Sequence, residues 1–246
     1  MLQNGWPNSG SFRDFARGRL RRSRVSCIPE PRREKLADLM IARTLYFDRI
    51  IERRAVDVEQ FVLMGAGYDT RAYSQLQRVG LRFFELDQPS TQNLKIETLA
   101  KAGIDAAHVT FIPVDFSREN VFEKLRAFGY DPQKKTLFLW EGVTLYLSEE
   151  DVRNTLRDIR EHAAPGSVIV ADFYGERMIR MGSGMLGRKA LEYTREGLGF
   201  GLPFSTDFER IFREFVESAG LDVSETVFMG QRSPSGPFVV VAELGN

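Results

Sequence analysis

The stretch FVLMGAG, residues 61–67, decides the fold class of this 246-residue chain. Its four apolar residues have the length of a short buried strand, and the glycines that follow predict a sharp turn where a ligand can approach the backbone. The polar residues 70–78 come next and are predicted to form a helix. The order strand, glycine turn, helix indicates one unit of an α/β fold.

Alternating helices and strands continue on both sides of this unit. An amphipathic helix is predicted from about residue 34 to residue 51, because apolar residues recur there at helical spacing. Further strands are predicted at 81–86, 109–114, 136–140 and 167–173, and further helices at 90–102, 118–128 and 149–162. This alternation favours a parallel sheet that is covered by helices on both faces.

The pattern changes after residue 173. Residues 174–206 are rich in methionine and glycine and are too irregular for a core element. A helix at 207–219 then leads to strands at 221–229 and 238–242, which are joined by a turn at 233–237. We therefore predict a Rossmann-like α/β fold with seven strands, mostly parallel, a C-terminal antiparallel hairpin and helices on both faces. This layout is typical of class I methyltransferases, whereas dehydrogenase sheets continue with parallel strands.

The composition excludes several classes of protein. The 34 basic residues balance the 34 acidic ones, so the net charge gives no case for binding nucleic acid or an anionic membrane. The longest apolar runs fall far short of the roughly 20 residues that span a bilayer. The single cysteine, Cys27, excludes an intramolecular disulfide, and the presence of only two histidines argues against a histidine-rich metal centre. We expect a cytoplasmic, metal-free protein.

The charge is unevenly distributed along the chain. Residues 1–36 hold nine basic and three acidic residues. Such an arginine-rich start can resemble an organelle transit peptide or a nucleic-acid-binding arm, but the simpler interpretation is a loosely ordered arm with a short helix near residues 12–22. We predict a basic N-terminal arm at 1–35 and a methyltransferase domain at 36–246, within which residues 174–206 form a lid or insertion at the acceptor site.

Acidic residues end two consecutive predicted strands. Asp87 lies 20 residues after the glycine turn, where a carboxylate can accept hydrogen bonds from both hydroxyls of a ribose. Thr70 stands where a dinucleotide-binding turn has its third glycine, which favours a ligand without phosphates. Glu85 precedes Asp87 by two residues, and Asp115 stands directly before Phe116, a pair suited to bracket an adenine. Each acid alone could be a helix N-cap or a surface charge, but together they form an arc the size of a nucleoside.

Four stretches make the sequence similar to a known family. They are ART at 42–44 with Asp48, GAGYDTRAY at 65–73, FELDQP at 84–89 and LWEGVTLYL at 139–147. These motifs resemble the leucine carboxyl methyltransferase family, and especially its bacterial polyketide O-methyltransferase-like branch. The resemblance covers residues 38–173 and implies a class I fold with S-adenosylmethionine as the methyl donor.

The resemblance also implies roles for single residues. Arg43 would meet the carboxylate of the donor's methionine part and Glu141 its amino group, and both contacts are charge-assisted hydrogen bonds. Asp87 would hold the ribose, while Asp115 and Phe116 would frame the adenine. The predicted cofactor-binding set is Arg43, Gly65, Ala66, Gly67, Asp69, Glu85, Asp87, Asp115, Phe116 and Glu141.

Some of these residues have a second interpretation. Asp69 and Arg71 could equally form a structural ion pair that fixes the glycine turn.

The N-terminal region departs from the bacterial branch, whose members carry a longer helical region that helps to build the acceptor pocket. The acceptor site is therefore expected to be more open, or rebuilt by residues 174–206. Three methionines of that segment form either an apolar pocket wall or a buried helix stripe; they are Met178, Met181 and Met185.

Methyl transfer from a sulfonium is an in-line displacement, so the enzyme mainly aligns the reactants and excludes water. A base is required only for a neutral acceptor, because a carboxylate is already ionised near pH 7. His108 precedes the third strand and His162 ends a helix, so neither is well placed as a base. The catalytic candidates are Glu141, Tyr146 and Tyr174, with Asp172 as a further activating group. For the tyrosines, packing against helices is the alternative.

The favoured hypothesis is a methyltransferase that uses S-adenosylmethionine to methylate a carboxylate or hydroxyl oxygen of a small molecule, such as a secondary-metabolite intermediate. The alternative is a donor-binding protein that regulates or partners a biosynthetic complex without methyl transfer. A nicotinamide dehydrogenase is disfavoured by Thr70 and by the C-terminal hairpin. The expected partner is a small-molecule acceptor, with neither nucleic acid nor a membrane, and a homodimer is the assembly to test.

Overall fold

A computed structural model describes residues 36–73, 76, 80–182, 197–230 and 236–245. The helices are α1 (Leu36–Arg54), α2 (Pro89–Lys101), α3 (Val121–Ala127), α4 (Glu149–His162), α5 (Glu176–Gly182) and α6 (Phe208–Glu217). The strands are β1 (Gln60–Met64), β2 (Arg82–Asp87), β3 (Val109–Pro113), β4 (Thr136–Trp140), β5 (Val168–Tyr174), β6 (Asp222–Met229) and β7 (Val239–Gly245). Short 3-10 turns lie at Arg71–Tyr73 and Thr144–Tyr146.

The strands form one sheet in the order β3-β2-β1-β4-β5-β7-β6. Strands β1 to β5 are parallel to one another, whereas β7 runs antiparallel to both of its neighbours, β5 and β6. The strand order reverses at β1, because β2 and β3 lie on one side of it and β4 lies on the other. Ligands bind α/β sheets outside the carboxyl ends of the strands at such a switch point. The turn after β1 and the loop after β4 therefore form the first place to look for a site.

The centre of the sheet is buried on both faces. All five residues of β1 and all five of β4 are buried, as is usual for parallel strands between two helical layers. Phe61 packs in one apolar layer with side chains of α1, and Phe138 packs in the other with side chains of α3, α4 and α6. Each such buried side chain stabilises the fold by about 1.5–3 kcal/mol. These layers fix the strand ends that carry the polar residues.

Helix α1 is attached to the antiparallel end of the sheet by ion pairs. The carboxylate of Glu243 on β7 is buried and contacts the guanidinium groups of Arg53 and Arg54. The hydroxyl of Tyr46 donates to Oε1 of Glu225 on β6 at 2.7 Å. These contacts hold α1 across the sheet and place Arg43, in the same helix, beside β5.

The loop after β4 is held at its far end by the start of α4. The Ser148 hydroxyl accepts the backbone N–H of Asp151 at 3.1 Å, and the Asp151 carboxylate accepts hydrogen bonds from Ser148, which makes a capping box. Three acidic residues in the first turn of this helix add a favourable interaction with its dipole.

The predicted fold class is confirmed, with seven strands that are parallel except at the C-terminal pair. The predicted strand at 136–140 and the predicted helix at 149–162 agree at both ends, and most other predicted elements agree within three residues. The helix predicted at 70–78 is one exception, since its described part is the 3-10 turn Arg71–Tyr73 and residues 74, 75 and 77–79 lie outside the described range. The prediction that 174–206 contributes no core element was also wrong, because this segment contains α5 and the buried core residues Phe200 and Leu202. The arm at 1–35, residues 183–196 of the predicted lid, including Met185, and residues 233–235 of the predicted turn also lie outside it.

Candidate functional site

The glycine turn after β1 is built around two residues in the left-handed region. Gly65 has a φ of +72° and Gly67 a φ of +44°. The N–H groups of Gly65 and Ala66 donate to the carbonyl of Leu86 at 2.8 and 2.9 Å, which ties the turn to β2. A Cβ on Gly65 would lie 2.4 Å from Cγ2 of Val143, whereas a Cβ on Gly67 would have nothing within 4 Å. The absence of a side chain at Gly65 thus allows the loop after β4 to pack against the turn, and its absence at Gly67 leaves the backbone open to a ligand.

Asp87 lies next to this turn, at the carboxyl end of β2. Its Oδ2 accepts the N–H of Gly67 at 2.5 Å and its Oδ1 accepts the N–H of Gln88 at 2.7 Å. Burial raises the pKa of Asp87, although these two backbone donors act in the opposite direction. An ionised carboxylate has about four acceptor positions, so two remain for ligand hydroxyls.

Asp87 lines a cavity of about 700 Å³, here called the larger cavity. The cavity extends past the end of β3 to Asp115 and Phe116, and the ring of Phe116 also packs against the core. Leu94 of α2 and Tyr146 after β4 also line this cavity. A flat apolar ring beside carboxylates suits a heteroaromatic base, which stacks with its face and forms hydrogen bonds with its edge.

A second cavity of about 450 Å³, here called the smaller cavity, adjoins the larger one. The residues that line both cavities are Gly65, Gly67, Tyr68, Gly142 and Val143. The two cavities therefore form one cleft along the carboxyl ends of the central strands, which is the switch point of the sheet.

Charged side chains form the wall of the smaller cavity. Arg43 from α1 places Nη2 3.1 Å from Oε1 of Glu141, and Arg71 places Nη1 2.8 Å from Oε2 of the same carboxylate. Arg71 also pairs with Asp48, at 2.7 Å, and with Asp69. The structure contains the Asp69–Arg71 ion pair, which was one of the two alternatives, and Glu141 bridges two guanidinium groups.

A buried carboxylate, Asp172 on β5, lies behind Arg43. Its Oδ2 accepts hydrogen bonds from Arg43 Nη1 at 3.0 Å and from the Tyr174 hydroxyl at 2.9 Å, and the N–H of Gly142 donates to both of its oxygens. Tyr174 also contacts Arg43 Nη1. Burial raises the pKa of Asp172 to about 6, although Arg43 and Gly142 lower it. Asp172 therefore joins α1, β5 and the loop after β4.

The described side chains around the cleft carry an excess of negative charge. In the network around the smaller cavity two guanidinium groups face four carboxylates; they belong to Arg43 and Arg71, and to Asp48, Asp69, Glu141 and Asp172. The larger cavity adds Asp87 and Asp115, and no lysine or arginine is among its described lining residues. Such a cleft favours a ligand with net positive charge.

Most of the predicted site residues line this cleft. They are Arg43, Gly65, Ala66, Gly67, Asp69, Asp87, Asp115, Phe116, Glu141 and Tyr146. Glu85 lies elsewhere: it is 1% exposed, and its Oε2 lies 2.7 Å from Nζ of Lys95 in a buried ion pair. Tyr174 is also buried and lines neither cavity, since its hydroxyl is directed at Asp172. The structure thus separates these two residues from the cleft.

The histidines and the methionines of the predicted lid are placed as follows. The His108 ring packs edge-on against Phe83, and His162 packs against Phe122, so both contact the core rather than the cleft. Met178 packs against the core, whereas Met181 is 59% exposed. Gly197, near the end of the predicted lid, lines the larger cavity.

Sequence reasoning missed the part that Asp172 plays beside Arg43. The two residues are 129 positions apart, and no local pattern joins them. One signal was present, since Asp172 interrupts the buried apolar run of β5 and a carboxylate in such a place requires a partner.

The model of the leucine carboxyl methyltransferase family matches residues 11–160, which is more than half of the chain. The chain belongs to the leucine carboxyl methyltransferase family. A relative in Mycobacteroides abscessus is 36% identical over 139 residues, which cover 56% of this chain and 45% of the relative. A relative in Mycolicibacterium smegmatis is 28% identical over 207 residues, which cover 83% and 61%. Both carry the name of an S-adenosyl-L-methionine-dependent methyltransferase. The chain spans about half the length of the curated relatives that it matches.

Solved structures show the same fold at low sequence identity. Magnesium protoporphyrin IX methyltransferase from Synechocystis, with bound S-adenosylhomocysteine, has a TM-score of 0.52 at 11% identity and covers 97% of this chain and 95% of its own. An S-adenosylmethionine-dependent methyltransferase from Clostridium acetobutylicum has a TM-score of 0.54 at 9% identity, with 85% and 96% covered. The named relatives identify S-adenosylmethionine as the cofactor of this family, as predicted. In the described part of the chain, no helix combines the length and apolar character needed to cross a membrane.

Proposed function

We propose that this member of the leucine carboxyl methyltransferase family takes a methyl group from S-adenosylmethionine and transfers it to an oxygen of a small molecule. One observation carries the proposal, namely the order of chemical groups along the cleft. Opposite charges on Arg43 and Glu141 lie at one end, open backbone at Gly67 follows, and Asp87 and Phe116 lie at the other end. The cofactor has an amino-acid end, a sulfonium and a nucleoside end in the same order.

Each end of the cofactor has matching groups in the cleft. Arg43 would donate to the carboxylate and Glu141 would accept from the ammonium, both through charge-assisted hydrogen bonds. Asp87 would accept from the ribose hydroxyls, and Phe116 would pack against the adenine. When bound, the cofactor supplies an electrophilic methyl group on a positively charged sulfur, which suits the negative charge of the walls.

The side of the cleft formed by the loop after β4 is assigned to the acceptor, and Tyr146 is the residue proposed to contact it. None of the described residues that line the cleft is a histidine, and both oxygens of Glu141 are held by guanidinium groups. An acceptor that is already ionised requires no base, so a carboxylate oxygen is the first choice and a hydroxyl the second. The protein's part is to align the acceptor oxygen with the methyl group and to exclude water.

Donor binding is tested by calorimetric titration of the purified protein with S-adenosylmethionine and S-adenosylhomocysteine, with NADH as the control ligand. We expect micromolar binding of the first two and none of NADH. Asp87→Asn should weaken S-adenosylhomocysteine at least tenfold, because hydrogen bonds to a charged group are lost. Asp222→Asn, at an exposed position that starts β6, is the matched control and should leave the affinity unchanged. Equal affinity of both variants would contradict the placement of the ribose.

Methyl transfer is tested with a panel of carboxylic acids, phenols and amines, by following S-adenosylhomocysteine and identifying the methylated product by mass spectrometry. A methyl ester or a methyl ether supports the proposal. Methylation of amines alone would overturn the assignment of oxygen as the target. Donor binding without transfer to any member of the panel would favour the alternative, a donor-binding partner or regulator.

A further inference from the structure

Arg43 and Glu141 form an ion pair, and each of them also contacts further residues that hold it in place. The two side chains face each other through Nη2 and Oε1, at 3.1 Å. The other terminal nitrogen of Arg43, Nη1, contacts Asp172 at 3.0 Å and Tyr174. The other oxygen of Glu141, Oε2, contacts Arg71 at 2.8 Å. Each member therefore has one atom in the facing pair and one atom in a supporting contact.

The supporting residues are fixed more firmly than the facing pair. Asp172 and Tyr174 are buried, and Asp172 also accepts the N–H of Gly142 with both oxygens. Arg71 is fixed in turn by two further carboxylates, those of Asp48 and Asp69. The facing side chains are 15% and 16% exposed and line the smaller cavity, as does Arg71, which is 11% exposed. Because Arg71 keeps two further carboxylate partners and Asp172 and Tyr174 line neither cavity, the facing contact is the one that a ligand can reach and replace.

We propose that the Arg43–Glu141 pair is the closed form of the amino-acid end of the donor site, and that Asp172, Tyr174 and Arg71 are positioning residues that hold the two groups while the donor opens the pair. This inference rests on the proposed function. The amino-acid end of the donor carries a carboxylate and an ammonium. Arg43 then exchanges Glu141 for the carboxylate, and Glu141 exchanges Arg43 for the ammonium. Each charge keeps a partner of opposite sign throughout, so the exchange avoids an unpaired charge in a partly buried place.

The positioning residues matter because Arg43 is long and has many rotamers. A side chain that is already held by Asp172 and Tyr174 loses less conformational freedom when it takes up a ligand carboxylate. Weakening the supporting contacts should therefore weaken the binding of any ligand with an amino-acid end. It should not affect a ligand that has only the nucleoside end.

The experiment compares two ligands by calorimetry. S-adenosylhomocysteine has both ends, whereas 5′-methylthioadenosine has the same adenosine and thioether sulfur but no amino-acid end. Tyr174→Phe removes one supporting hydroxyl and should raise the Kd of S-adenosylhomocysteine about tenfold while the Kd of 5′-methylthioadenosine changes less than twofold. Tyr130→Phe is the matched control, since this tyrosine is also buried but its hydroxyl contacts Thr136, 3.2 Å away, and it should change neither Kd.

A second variant, Arg71→Lys, tests the support of Glu141 and keeps the proposal testable if Tyr174→Phe fails to fold. Arg71→Lys should also weaken the binding of S-adenosylhomocysteine but not that of 5′-methylthioadenosine, because an ammonium cannot contact three carboxylates with the geometry of a guanidinium. If the variants lose affinity for both ligands equally, or for neither, the inference is overturned while the proposed function stays in place. A wild-type protein that binds neither ligand would instead overturn the proposed function itself.

Discussion

Replacing Gly65 with alanine measures how closely the loop after β4 approaches the glycine turn. The new Cβ would lie 2.4 Å from Cγ2 of Val143, well inside van der Waals contact, on a residue whose φ is +72°. The left-handed backbone costs an alanine about 1 kcal/mol. Displacing a packed side chain adds about 1–3 kcal/mol. We therefore expect Gly65→Ala to lower the free energy of unfolding by about 2–4 kcal/mol.

Two further variants separate these costs in urea unfolding. Gly103→Ala introduces an alanine at a φ of +64° with nothing within 4 Å of its Cβ, so it should lose only the backbone part, about 1 kcal/mol. Val143→Ala removes the atom nearest to the new methyl group. The double variant Gly65→Ala with Val143→Ala should therefore be more stable than the sum of the two single changes predicts.

Ligand binding gives an independent measure of the same contact. Gly65 and Val143 line both cavities, so Gly65→Ala should reduce the affinity for S-adenosylhomocysteine while Gly103→Ala should not. If Gly65→Ala costs no more stability than Gly103→Ala, and if Val143→Ala brings no recovery, the close approach of the loop to the turn is refuted.

Three other predictions concern residues that support the site. Glu243→Gln should lower the free energy of unfolding by about 1 kcal/mol in urea, because it removes the charge that pairs with Arg53 and Arg54, two side chains that are more than a third exposed. Burial raises the pKa of Asp172 to about 6, so the folded protein binds this proton more tightly than the unfolded chain. The free energy of unfolding should consequently fall by about 2 kcal/mol as the pH rises from 4 to 6, and Asp172→Asn should remove this contribution in urea titrations at several pH values. Ser148→Ala should cost about 1 kcal/mol in the same assay by removing the cap of α4.

The fold was predictable because its signals are local. Buried strands such as Thr136–Trp140 consist almost entirely of apolar residues. The helix Glu149–His162 is indicated by the N-cap residue Ser148 and by the helical spacing of Val152, Leu156 and Ile159. Parallel strands place their carboxyl ends at one edge, so Asp87, Asp115 and the glycine turn could be predicted to share a cleft. No contact over a long distance in sequence had to be known for these conclusions.

The position of Glu85 could not be predicted from local sequence signals. Glu85 and Asp87 are two residues apart in one strand, so their side chains start on the same side of the sheet. What separates them is the partner that α2 supplies, because Lys95 lies 2.7 Å from the Glu85 carboxylate, whereas Asp87 meets the N–H of Gly67 at the cleft. The sequence contains both acids and the lysine but does not show which acid the lysine will reach.

The charged residues around the smaller cavity both stabilise the fold and form the proposed donor site. A sequence motif alone does not distinguish these two roles. Asp69, Arg71 and Glu141 all belong to the family motifs, yet both Asp69 and Arg71 contact other charged side chains as well as the cavity. Asp172 would be an uncompensated buried charge without Arg43, a state that costs several kcal/mol. The contacts that stabilise this end of the fold are therefore the same contacts that hold the groups proposed to bind the donor. At the other end Asp87 accepts hydrogen bonds from the backbone N–H groups of Gly67 and Gln88, so a change there should reduce donor affinity with a smaller loss of stability.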